Sequence, residues 1–118
     1  MNLFRGVTVL ASLALSIGAA YAHAIVRSAT PRADAAVRGD TVAVEIRFNS
    51  RIDAARSHLK LFKIDGDAVT LPLSDAGSDD TLKATATGLT PGRYRLHWQT
   101  LSPDGHISQG DIPFGVSR

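Results

Sequence analysis

Large apolar residues recur at every second position along two stretches of this chain. Val42, Val44, Ile46 and Phe48 take turns with Thr41, Ala43, Glu45 and Arg47, and Tyr94, Leu96 and Trp98 lie opposite Arg93, Arg95 and His97. A period of two places one set of side chains against a core and the other toward water, as in a half-buried β-strand. Shorter β-type runs recur around these two, and from His23 onward no segment keeps a 3.6-residue apolar period. Seven strands are expected, near Ile25–Ala29, Thr41–Phe48, Leu59–Ile64, Ala68–Leu71, Thr81–Thr87, Arg93–Leu101 and Asp111–Val116. Asp65-Gly66, the stretch Ser74–Asp80 and Thr90-Pro91-Gly92 supply turn chemistry between them. The expected fold is all-β: a seven-stranded, immunoglobulin-like Greek-key sandwich, barrel-like in outline.

The first residues follow a different pattern. Arg5 is followed by the apolar run Gly6–Ala20 and by Ala20-Tyr21-Ala22, with small residues where a signal peptidase reads. This is the layout of a secretory signal. The run falls short of the roughly 20 apolar residues of a membrane-spanning helix. Residues 1–22 are therefore expected to be a cleaved signal and residues 23–118 a single domain, periplasmic and not inserted in the membrane after processing. Of the 13 Lys plus Arg residues Arg5 leaves with the signal, so 12 face 11 Asp plus Glu and the domain is close to neutral. Scattered basic residues and few aromatic ones give no support to nucleic-acid binding. The chain has no cysteine, and its only methionine is Met1. The mature domain thus lacks disulfides, thiolates and thioethers, which excludes a sulfur-ligated Cu(I) site.

Cleavage after Ala22 makes His23 the first residue. A free α-amine and the ring Nδ1 of one histidine can chelate a single metal ion. If successive strands alternate in direction, His23 lies at the same end as Asn49–Ser57, Leu73–Asp80 and Ser102–Gly110. The last of these contains Asp104-Gly105-His106, where glycine permits a turn that projects both flanking side chains to one side. His23, Asp104 and His106 then offer three nitrogens and one oxygen, a tetragonal set that favours Cu(II), one ion per chain. Taken singly, Asp-Gly is a common turn pair and a histidine beside it is usually solvated. The conjunction at one end carries the reading.

His23-Ala24, Ser28-Ala29-Thr30-Pro31, Glu45-Ile46-Arg47-Phe48 and Tyr94-Arg95-Leu96-His97-Trp98, followed by Leu101-Ser102-Pro103-Asp104-Gly105-His106 with Gly110 and Phe114, resemble the CopC family of periplasmic copper-resistance proteins. The resemblance covers essentially the whole mature chain. It implies an immunoglobulin-like barrel or sandwich, Cu(II) bound by His23, Asp104 and His106, and an inner-membrane partner of the CopD type. Some members carry a methionine-rich Cu(I) stretch, which is missing here. Some place a glutamate after the Phe of the second strand, where this chain has Asn49-Ser50; Ser50 is a poor copper ligand, and no ligand role is transferred to it. His58 falls at the metal end and is expected on the surface, His97 is expected to be solvated, and Asp75, Asp79 and Asp80 crowd the same end.

The leading expectation is a monomeric, non-enzymatic protein that sequesters or delivers copper. Two alternatives stand beside it. One is a copper-dependent oxidative enzyme with an N-terminal histidine brace, disfavoured because Asp104 fills the in-plane position and the domain is small. The other is a metal-free sandwich that binds another protein. No serine carries the local signature of a catalytic nucleophile.

Overall fold

The computed structural model describes residues 23–118, and the signal expected over residues 1–22 lies outside the described residues. Eight strands form two sheets. They are β1 (Val26–Thr30), β2 (Ala35–Arg38), β3 (Val42–Phe48), β4 (His58–Lys63), β5 (Ala68–Leu71), β6 (Thr81–Ala86), β7 (Gly92–Leu101) and β8 (Ile107–Ser117). One sheet has the order β1-β3-β6 and the other β2-β8-β7-β4-β5. The chain changes sheet after β1, β2, β3, β5 and β6, which makes the immunoglobulin-like sandwich that the alternation predicts.

The expected count of seven is corrected to eight by β2. Its sequence, Ala-Ala-Val-Arg, has no fully buried position and a single good strand former, Val37. It is held as a parallel edge strand on β8, Ala35 facing Phe114 through Arg38 facing Ser117. With only residues 31–34 between them, β1 and β2 behave as one run divided between the sheets. The eighth strand therefore leaves unchanged which loops share an end. The last strand also begins earlier than expected, at Ile107, because the β7–β8 ladder continues to the pair Leu101–Ile107.

The alternating residues of β3 and β7 face each other across the sandwich. Phe48, Ile46, Val44, Leu59, Leu82, Leu96 and Phe114 are buried almost completely, and each such side chain stabilises the fold by about 1.5–3 kcal/mol relative to exposure. Trp98 packs edge-on against Phe48 with ring centroids 5.0 Å apart, and Tyr94 stacks on Phe114 at 5.6 Å. The Tyr94 hydroxyl donates to Thr90 O at 2.7 Å and accepts from the Thr90 amide at 3.0 Å, closing the turn that precedes β7. Without a cysteine, this core alone holds the sheets together.

At one end of the sandwich the loops are bonded to one another. The Asn49 amide donates to Ile25 O at 2.9 Å, Ile52 to Asp79 O at 2.8 Å, and Asp53 to Leu101 O at 2.8 Å. The start of β1 thus shares an end with the loops that follow β3, β5 and β7.

Candidate metal centre

Residues 102–106 join β7 to β8. The Ser102 amide donates to His106 O and the Gly105 amide to Ser102 O, both at 2.8 Å. Gly105 has φ +93°, a left-handed conformation in which any β-carbon is strained. The tight loop sets two neighbouring side chains together: Asp104 Oδ1 accepts from the His106 amide at 3.3 Å and lies 3.1 Å from His106 Nδ1. The hydrogen bond from the His106 ring, joined by that from its amide, holds the Asp104 carboxyl below the usual carboxylate range. Both side chains are 58% exposed, which leaves them open to an ion arriving from solution.

His23 reaches this loop from the other sheet. Its ring lies 6.4 Å from the His106 ring, centroid to centroid, at an interplanar angle of 71°. An imidazole nitrogen binds a metal at about 2.0–2.1 Å, so rings on opposite sides of one ion have centroids roughly 6 Å apart. The observed gap is close to that span. Two residues that sequence reading did not mark touch this segment. The Ala24 amide donates to Ser108 Oγ at 2.9 Å, and Ser108 Oγ lies 3.5 Å from His23 Nδ1. Asn49 Oδ1 accepts from the Ile25 amide at 2.9 Å.

His23, Asp104 and His106 thus meet at one end, though unevenly. Asp104 and His106 are in direct contact, while the His23 ring stands 6.4 Å from that of His106, centroid to centroid. Among the described residues no three histidine or carboxylate side chains are already gathered as a ligand group. A fourth donor, the α-nitrogen of His23, is an amide until the chain is cut before it. The donors these residues offer are nitrogen and oxygen, with no sulfur among them.

The remaining candidates fall elsewhere. Among the described residues, His58 and Ser50 neither hydrogen-bond nor stack with His23, Asp104 or His106; His58 is exposed and pairs across the ladder with Gln99. The loop acids serve their own loop: Asp75 accepts from the Gly77 amide, Asp79 pairs with Arg51, and Asp80 accepts from Ser78 and Thr81 beside Arg47. His97 is not the solvated residue expected from its outward position. Its side chain is only 24% exposed, and its Nδ1 lies 2.8 Å from Asp111 Oδ1. Arg95 reaches the same oxygen at 2.8 Å and covers the Phe62 ring at 4.3 Å. The outer face of a sheet still pairs neighbours across strands, and His97 faces Asp111 in the ladder.

A CopC domain model matches residues 26–117. The copper transport protein CutJ of Bacillus subtilis (strain 168) is 28% identical over 102 residues, which are 83% of this chain and 19% of CutJ, so the chain spans about a fifth of that relative. Protein YobA of Escherichia coli (strain K12) is 28% identical over 99 residues, covering 81% of this chain and 80% of YobA. Among solved structures, CopC from Methylosinus trichosporium OB3b has a TM-score of 0.72 at 28% identity, covering 80% of this chain and 94% of that one. PcoC, a methionine-rich copper resistance protein from Escherichia coli, has a TM-score of 0.66 at 22% identity, covering 81% of this chain and 100% of PcoC. The last is a likeness of fold alone.

Proposed function

Because the chain belongs to the CopC family, whose role is copper-related and non-enzymatic, we propose that it binds one Cu(II) ion in the periplasm and sequesters it or delivers it onward. The observation that carries this reading is the approach of the His23 and His106 rings to 6.4 Å from positions 83 residues apart, with Asp104 bonded to His106.

Copper is the cargo, and each residue has a part in holding it. His23 contributes its ring and, once residues 1–22 are removed, its α-amine, whose ordinary pKa near 8 lets a metal displace the proton at neutral pH. His106 contributes a second imidazole. Asp104, ionised throughout the neutral range, supplies an oxygen and a negative charge that partly neutralises the ion. The loss of every sulfur ligand with Met1 supports Cu(II) over Cu(I).

A family of non-enzymatic copper proteins weighs against the histidine-brace enzyme and equally against a metal-free module. The match of this chain to a fifth of the copper transport protein CutJ supports a part in copper delivery, and the recipient proposed is an inner-membrane protein of the CopD type. No helix among the described residues is long and apolar enough to cross a membrane. The domain is taken to act as a monomer.

Titrating the processed chain, beginning at His23, with Cu(II) tests the proposal. One equivalent should bind, and His106→Ala should weaken binding by more than about a hundredfold, since losing even an indirect partner of a metal ligand costs 10- to 100-fold. Equal affinity in the two proteins contradicts the assignment.

A further inference from the structure

We propose that Ser108 and Asn49 are positioning residues that clamp the segment behind His23 and so set the distance between its nitrogens and His106. The inference rests on the copper-binding reading above and assigns work to two residues outside the proposed ligand set.

Without such a clamp the first residues of the domain have little to hold them. β1 begins only at Val26, and a chain end beyond a strand frays unless it is tied down. The Ile25 side chain is 62% exposed, so apolar burial does not fix it. Ala24 is buried, but a single methyl group anchors weakly. Side-chain hydrogen bonds fix this segment in their place. Ser108 Oγ takes the Ala24 amide at 2.9 Å across 84 positions of sequence. Asn49 takes both polar groups of Ile25: its side-chain Oδ1 accepts from the Ile25 amide and its backbone N–H donates to Ile25 O, each at 2.9 Å. The Ala24 and Ile25 amides are thereby held by side chains, one from β8 and one from the residue that follows β3.

The clamp bears on the metal through geometry. With the Ala24 nitrogen pinned, the His23 α-nitrogen and ring can move only by rotation within His23 itself. Ser108 lies two residues after His106, near the start of β8, and it is 8% exposed. One buried hydroxyl thus ties the His23 peptide to the strand that directly follows the other imidazole. A chelate arranged in advance binds more tightly than one that must be ordered on binding, and partners of this indirect kind affect affinity by 10- to 100-fold.

The test uses the processed chain beginning at His23, with Ser108→Ala, Ser108→Thr, Asn49→Ala and Asn49→Asp. Two quantities are measured: amide hydrogen exchange of the metal-free protein, and Cu(II) affinity by competition with a chelator of known strength. Ser108→Ala should speed exchange at Ala24 and Asn49→Ala at Ile25, with exchange at Leu96 in the core unchanged. Each alanine variant should bind Cu(II) about tenfold more weakly or worse. Ser108→Thr, which keeps the hydroxyl, and Asn49→Asp, which keeps the acceptor oxygen, should restore amide protection and the wild-type copper spectrum. Faster exchange at Ala24 with unchanged Cu(II) affinity overturns the proposal, and so does unchanged exchange. Failure of the wild-type chain to bind Cu(II) instead overturns the reading on which it rests.

Discussion

Thr100 lies directly across the β7–β8 ladder from Ser108, is completely buried, and has a hydroxyl without a hydrogen-bond partner among the described residues. A buried hydroxyl left unpaired costs about 1–3 kcal/mol on mutational scales. Thr100→Val, which keeps the shape and removes the polar atom, should stabilise the domain by about 1 kcal/mol in urea unfolding; destabilisation would show that the hydroxyl is paired in solution. Asp111 makes the opposite case, since its oxygen is satisfied twice. Burial raises its pKa, but the hydrogen bonds from His97 and Arg95 outweigh burial and leave it lowered. A carboxyl depressed in the folded state stabilises the fold fully above its unfolded pKa of about 3.9, and this contribution is lost as pH falls through the lower folded value. Asp111→Asn should therefore flatten the acid side of a stability-against-pH profile below about pH 4, an effect read by unfolding midpoints. A profile identical to that of the wild type would remove Asp111 from the account.

The strands carry their own test at Gly110. A β-carbon at this position of β8 would stand 2.7 Å from the Trp98 ring on β7, too close for any real contact. Trp98 is itself packed edge-on against Phe48, so a shift of the ring disturbs that core contact. Gly110→Ala should destabilise the domain by about 1–3 kcal/mol as an overpacked site and shift the tryptophan emission; a neutral substitution would mean that the strands separate at little cost. How far the elements were legible follows from the same packing. β3 and β7 were plain because each has one buried and one wet face. β2 was not, because its four residues bury nothing completely and pair only through backbone bonds at an edge. His97 was misread because alternation tells inward from outward but does not name the neighbour across the strand, and that neighbour is an aspartate.

For the whole molecule, the decisive fact is which loops share an end. Counting strands located His23 beside Asp104 and His106, and that shared end survived the correction of the count because β1 and β2 run on as one segment between two sheets. His23, Asp104 and His106 were legible as candidates because histidine and aspartate announce their chemistry. Ser108 and Asn49 were not, since a serine or an asparagine gives no sign in sequence of accepting a bond from 84 or 24 positions away. The account gives His23 a role that no internal histidine can fill, because its α-amine exists only after processing. One comparison tests this directly: Cu(II) electron paramagnetic resonance and affinity for the chain beginning at His23, against the same chain with a single residue added before it. The account predicts a changed spectrum and binding weakened by at least about tenfold in the extended chain. Identical spectra with equal affinity would contradict it.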